Sequence, residues 1–373
     1  MKVKISEIGE VIGGGTPSTK KAEYYKKRGI SWITPKDLSG YTKMYISHGA
    51  RDISESGFKN SSTRILPKDT VLISSRAPIG YCAIAANDLT TNQGFKSIIP
   101  NKNKVLPKYL YYLMLSNKDN LEQIASGSTF KEVSGNAMKN FVVEIPNLEK
   151  QREVVNIIDP ISKKIELNNQ INDNLLELAN VIFTKQINKD TTKLSNIATI
   201  QNGYAFKSKE YVAQKQLLIL RTKNIGSNHL FSKFDVVYID QDNFNEYQKF
   251  AFKKFDTVLV MVGASIGKTG FITSNVLPSL QNQNMWRFRV KNSRMPGLLL
   301  YEYVNYINKR VKGSASGSAR SFYRKELFND FEVPIIDNNI FTVFERIQLQ
   351  INNIQVENNV LSKLRQELLN KYF

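Results

Sequence analysis

The chain has 373 residues, and at about one domain per 150 residues this points to two domains, each large enough to bury its own core. Its 41% hydrophobic content is ordinary for a globular protein, and no apolar run of about 18 residues, enough to cross a bilayer, occurs. Lys+Arg 52 against Asp+Glu 33 gives +19; the excess, 27 against 19 in residues 1–190 and 25 against 14 in residues 191–373, is shared by both halves and points to a polyanionic partner.

The amino terminus, MKVKISEIGEVIGGGTP, has neither the apolar core nor the small-residue cleavage site of a secretory signal, so a cytoplasmic location is expected. One cysteine, Cys82, and two distant histidines, His48 and His229, exclude intrachain disulfides and a Cys/His zinc site, although carboxylates could still hold magnesium; no metal site is assigned. The first half then alternates Gly, Pro, Ser and Thr with short β-branched runs, of which Thr70–Ser74 reads as a strand. Leu106–Ser116 reads as a packed helix with Pro107 in its first turn. After Pro146 comes a glycine-free segment, 148–187, whose Ile157, Ile161, Lys164, Asn168, Ile171, Leu175, Leu178 and Ile182 recur at alternating spacings of four and three, a heptad seam. Pro160 is expected to kink or restart this helix. The polar stretch from Asn188 reads as a linker, assigned to 188–192.

The second half repeats the first. Ile5-Ser6 and Ile8 match Leu194-Ser195 and Ile197; Gly14 matches Gly203; Asp69-Thr70-Val71-Leu72 and Ile79-Gly80 return as Asp256-Thr257-Val258-Leu259 and Ile266-Gly267. Asn92-Gln93 returns as Asn282-Gln283, Ala125–Ser128 as Ala315–Ser318, and Phe141 with Val143 as Phe331 with Val333. Offsets stay between 187 and 190 in preserved order, so two modules of one fold stand in tandem. Thr257–Val262 reads as a strand and Met295–Asn308 as a helix. The closing segment after Pro334 carries a second seam, Ile347, Ile351, Ile354, Asn358, Leu361, Arg365 and Leu368, with Asn358 lying 190 residues after Asn168. Two helices each lying on its own module would also account for the pattern, but so narrow a seam favours an antiparallel helix pair. The two asparagines either set its register or face solvent. The fold class is α+β: two mixed α/β domains, 1–147 and 193–336, each followed by a long helix, 148–187 and 337–373, the helices pairing as an antiparallel coiled coil.

Several motifs fall short of chemistry. Gly263-Ala264-Ser265-Ile266-Gly267-Lys268-Thr269 has three residues between its glycines where a P-loop has four, and a strand follows. Pro17 interrupts the Gly13–Gly15 run, so it is no dinucleotide fingerprint. No adenine-methylation motif, methyl-donor loop or nuclease carboxylate cluster is present, and neither histidine has triad partners nearby in sequence.

Taken in order and in duplicate, Gly14-Gly15-Thr16-Pro17-Ser18, Trp32-Ile33-Thr34-Pro35-Lys36-Asp37-Leu38, the Asp-Thr-Val-Leu strand leading to Ile-Gly, Asn92-Gln93, and Gly127-Ser128 before the Pro146 helix resemble the specificity subunit of type I restriction-modification systems. The second module departs from the first in Asn202-Gly203-Tyr204-Ala205-Phe206 and Arg221-Thr222-Lys223-Asn224-Ile225, as two different half-sites would require. The resemblance implies a noncatalytic subunit whose two target recognition domains read double-stranded DNA. The paired helices would space them and dock two methyltransferase subunits and, through these, restriction subunits. S-adenosylmethionine, Mg2+ and ATP would belong to the partners, with no cofactor in this chain and no membrane association. A helix of about forty residues spans roughly 60 Å, against about 34–36 Å for one turn of DNA. The alternatives are a nonspecific nucleic-acid-binding scaffold and a self-sufficient DNA methyltransferase or nuclease.

Phosphates are neutralised by Lys and Arg, and bases are discriminated by Arg, Lys, Asn, Gln, Ser or Thr in the grooves. The loop candidates in the first module are Thr16, Ser18, Lys20, Lys36, Arg76, Asn92, Gln93, Lys96, Thr129 and Lys131. In the second they are Tyr204, Lys207, Arg221, Lys223, Ser265, Lys268, Gln281, Asn282, Gln283, Arg320 and Arg324. Residues identical in both modules are better candidates for scaffold than for readout, because different half-sites need different readers; Arg76, Arg221, Arg320 and Arg324 are favoured on that ground.

Overall fold

The computed structural model describes residues 1–76, 78–127, 131–213, 216–233, 235–314 and 323–373, the side chains of residues 313 and 314 excepted. Two compact units emerge. Unit 1 comprises Met1–Glu166 with Leu361–Phe373, and unit 2 comprises Leu167–Val360. The long helices, Leu148–Lys185 and Phe341–Tyr372, each contribute to both units, so the units are not the contiguous blocks that the sequence alone suggests.

In unit 1, Lys96–Pro100 pairs antiparallel with Gly9–Gly13 on one side and with Val71–Ile73 on the other, and Val71–Ile73 pairs with Cys82–Ala85. Tyr45–Ile46 adds a parallel edge. Unit 2 repeats this order: Met285–Val290 lies between Ala198–Asn202 and Thr257–Val260, which pairs with Thr269–Phe271. A short ribbon opens each copy, Lys2–Lys4 with Val142–Glu144 and Thr191–Lys193 with Glu332–Pro334. Thr191 and Thr192 therefore belong to a strand rather than to the expected 188–192 linker, because β-branched residues opposite Pro334 and Val333 complete the ribbon. The apolar faces of both sheets are covered by helices, Pro107–Ser116 in unit 1 and Gly297–Ser314 in unit 2. Val71, Ile73, Ile84, Ile98, Leu110 and Tyr112 form one core; Leu259, Phe288, Leu298, Val304 and Phe328 lie at the centre of the other.

The first long helix starts where Asn147 Oδ1 accepts the Lys150 N–H at 2.9 Å, a side-chain N-cap. It runs unbroken through Pro160, which is exposed, as is Asn156, whose carbonyl the proline leaves without a helical partner; the helix does not restart there. Its buried face differs from the predicted seam. Ile158, Ile165, Leu176, Ala179 and Phe183 are buried, whereas Ile157, Ile171 and Leu178 are exposed. Counting apolar residues turned the face by one position, about 100°, because polar residues occupy much of the buried side. Gln151 donates to the Lys104 and Pro146 carbonyls and accepts from Leu106 N–H, and Asp159 accepts from Lys108 at 2.8 Å. In the second helix Ile347, Ile351, Ile354 and Asn358 are buried and Leu361, Arg365 and Leu368 half-buried.

Within unit 2 the helices meet through the two asparagines. Asn168 Nδ2 donates to Asn358 Oδ1 at 2.9 Å and to Glu357 Oε2 at 2.8 Å, and Asn358 Nδ2 donates to Asn169 Oδ1 at 3.1 Å. Asn168→Leu should cost about 1–3 kcal/mol, since it strands a buried amide, while Asn168→Leu/Asn358→Leu should recover most of that loss and weaken the register. Urea denaturation of both variants checks this; a double variant no more stable than the single one would contradict it.

Candidate nucleic-acid interface

In unit 1 the loops after Gly13, before Lys36 and around Asn92 are drawn together by backbone contacts. Gly15 N–H donates to the Thr91 carbonyl at 2.9 Å, and Asn92 N–H donates to the Ile33 carbonyl at 3.0 Å. A Cβ on Gly14 would stand 2.0 Å from the Asn92 carbonyl oxygen, and one on Gly203 2.0 Å from that of Asn282. The repeated Gly and Asn-Gln thus mark one backbone crossing built twice, where only glycine fits. Asn92 Oδ1 also accepts the Gly94 N–H at 2.9 Å, so Asn92 braces its own turn. Gln93 is exposed and takes a hydrogen bond from the Thr16 hydroxyl. Ser18, Lys20, Lys36 and Lys131 are exposed on the same set of loops and their neighbours.

Arg76 and Lys96 are not free cations. Arg76 Nε and Lys96 Nζ reach opposite oxygens of Glu132 at 2.9 and 3.0 Å. Partial burial would raise the Glu132 pKa, but these two charged hydrogen bonds outweigh it and hold the carboxyl below its usual range.

Unit 2 brings the corresponding loops together. Tyr204 N–H donates to the Gln281 carbonyl at 3.1 Å, and Asn282 N–H to that of Leu220 at 3.2 Å. Two candidates are engaged within the unit. Gln281 is fully buried, its amide donating to the carbonyls of Gln201 and Met285 at 3.0 and 2.6 Å. The Tyr204 ring packs on Phe206, Tyr247 and Phe250 with centroids 4.9, 5.0 and 5.2 Å away. Arg221 donates to the Asp235 carbonyl at 2.6 Å, and Lys223 pairs with the Asp235 carboxylate. Lys268 donates to the Ile225 carbonyl at 2.5 Å and, half-buried, has its pKa lowered by desolvation. Lys207, Ser265, Gln283 and Arg324 are exposed. Thr129 and Arg320 lie outside the described residues.

Two arginines at the unit 1 loops escaped sequence reasoning. Arg64 is exposed next to Thr63, whose backbone N would stand 2.3 Å from a Cβ on Gly15. Arg51 is exposed, with its guanidinium 4.0 Å from the Tyr25 ring centroid and 5.3 Å from that of Trp32. No local pattern around either arginine signals these contacts, which join segments distant in sequence. The arrangement offers exposed lysines for phosphates and a few oriented polar groups for base edges, the two components of duplex recognition. Among the described residues no group of three or more His, Cys, Asp or Glu side chains could hold a metal ion, and no helix is long and apolar enough to cross a membrane.

A family model described as "Type I restriction modification DNA specificity domain" matches residues 1–177 and again 187–362. The type I restriction enzyme MjaIX specificity subunit of Methanocaldococcus jannaschii is 31% identical over 405 residues, covering 99% of this chain and 91% of the relative. The EcoR124I/EcoR124II specificity subunit of Escherichia coli is 30% identical over 161 residues, 42% of this chain and 39% of the relative. The crystal structure of a type I restriction-modification S subunit from M. genitalium superposes with a TM-score of 0.52 at 14% identity, covering 100% of this chain and 96% of that one; it supports the fold.

Proposed function

We propose, on the premise that the chain belongs to the type I restriction-modification DNA specificity family, that each unit reads one half of a bipartite, asymmetric duplex target. The chain is a noncatalytic DNA-recognition subunit. The observation that carries the half-site assignment is one sheet order built twice, with the same backbone crossing at Gly14 and Gly203 but different side chains on the surrounding loops. A common scaffold with divergent loops suits two readers of two different short sequences. Exposed Lys20, Lys36, Lys131 and Lys207 would supply sequence-independent phosphate contacts.

The long helices would dock two methyltransferase subunits and, through these, restriction subunits. Leu167, Ile171, Leu178 and Val181 support this, because they are exposed and fall on one face at helical spacing. S-adenosylmethionine, Mg2+ and ATP would be held by those partners, in the cytoplasm.

The test is methylome sequencing of cells that produce the chain with its methyltransferase partner, before and after residues 1–147 are exchanged for a related module. One half of the methylated sequence should change and the other persist. A change in both halves, or methylation without a fixed motif, would refute the reading. Methyl transfer by the purified chain alone would place the chemistry here instead.

A further inference from the structure

We infer that Arg51 reads a guanine in the half-site bound by unit 1, its guanidinium set in place by a plate of two aromatic rings. This rests on the proposal that unit 1 reads DNA and names the residue that gives it base discrimination.

The plate is itself fixed to the loop cluster. Tyr25 and Trp32 meet edge to face with centroids 5.7 Å apart. The Tyr25 hydroxyl donates to the Pro17 carbonyl at 2.6 Å, and the Trp32 indole N–H donates to the Gly15 carbonyl at 3.0 Å. Thr16, between those two anchors, donates to Gln93. Arg51 therefore stacks on rings bonded to the backbone of the Gly-Thr-Pro loop, within cation–π range of both.

Its donors are available. Among the described residues the guanidinium has no carboxylate or carbonyl partner, in contrast to Arg76 and Arg221. The nearby carboxylates are engaged elsewhere: Asp52 accepts from Gly29 N–H at 3.0 Å, and Asp37 accepts from Ala50 N–H at 2.8 Å and from Thr34. The Ala50 bond also steadies the backbone beside Arg51.

Neutralising a phosphate requires only a positive charge, which flexible lysines provide. A planar fork immobilised on rings matches a paired acceptor of fixed geometry, and guanine presents one in N7 and O6 in the major groove. The device is also specific to one module. At the repeat offsets of 187 to 190 the second module carries Tyr238, Ile239, Asp240 and Gln241, none of them cationic, as expected of a reader rather than a scaffold residue.

The experiment measures competition binding and methylation by the whole complex on targets with single-base changes, for Arg51→Lys and Arg51→Gln, with thermal unfolding as the check on folding. Arg51→Lys keeps the charge and stem but loses the planar fork. Both variants should lose discrimination at one guanine of one half-site by about 5- to 150-fold, the usual worth of a bidentate base contact, with the other half-site unchanged. Uniform weakening across all sequences, with a salt dependence reduced by about one phosphate and no base-specific loss, would overturn the inference in favour of a backbone contact. Unchanged discrimination at every position would also overturn it. A parent complex with no bipartite preference would instead refute the underlying reading, so the two failures are distinguishable.

Discussion

Asp256→Asn should destabilise unit 2 by about 3–5 kcal/mol, the usual cost of breaking a buried ion pair from one side. Asp256 is 2% exposed and receives Arg289 in a two-pronged contact, Nε to Oδ1 at 2.7 Å and Nη2 to Oδ2 at 2.6 Å. It also accepts the Lys253 N–H at 2.7 Å, with Arg287 Nε 4.0 Å away. Arg287 is already under pressure: burial and the adjacent Arg289 charge push its pKa down to about 10, against the favourable pull of Asp256. Removing the carboxylate charge leaves two guanidinium groups close together at the start of the central strand Thr257–Val260. Asp256→Leu combined with Arg289→Met should cost less than Asp256→Asn, because the pair is removed rather than broken. Urea unfolding measures both. A loss below about 1 kcal/mol for Asp256→Asn would show that the charge is compensated elsewhere.

The second large effect is on pH dependence. Glu302 is 1% exposed on the helix Gly297–Ser314, and burial pushes its carboxyl from an ordinary 4.5 up to about 7, opposed by the Asn180 hydrogen bond at 2.7 Å and the Lys309 charge. Between those two values the folded state holds a proton that the unfolded chain has released. Stability of unit 2 should therefore be highest near and below pH 4.5 as far as this group is concerned, fall as pH rises toward about 7, and level off above it. The span is on the order of 3 kcal/mol. Glu302→Gln keeps the size and the contact with Asn180 but removes the titration. It should gain stability relative to the parent at pH 8 and little at pH 4.5. A gain of the same size at both values would rule out a proton-linked origin.

These predictions concern contacts for which no local pattern offers a signal, whereas much of the architecture was legible. The matched blocks at offsets of 187 to 190 predict one fold built twice, because sheet order is carried by short apolar strands whose sequence pattern survives duplication. Some repeated residues are scaffold for a visible physical reason: Gly14 and Gly203 stand where a side chain would collide with backbone, and Asn92 braces its own turn. The second helical seam was readable because Ile347, Ile351 and Ile354 are apolar where they are buried. In the first, Asn168 is buried within the expected seam, but most of the buried face lies one position away, because Gln151, Asp159 and Asn172 are polar where they are buried and periodicity registers hydrophobicity rather than burial.

The sequence by itself determined the duplication, the strands and helices of each copy, the two long helices and the basic character suited to DNA, all of which follow from local pattern and composition. Tertiary structure alone decided which charges are free. Glu132 claims Arg76, Asp235 claims Arg221, and Tyr25 and Trp32 leave Arg51 oriented with its donors exposed. Whether a side chain pairs or remains available depends on neighbours brought close by the fold, and their separation along the chain carries no trace of that proximity.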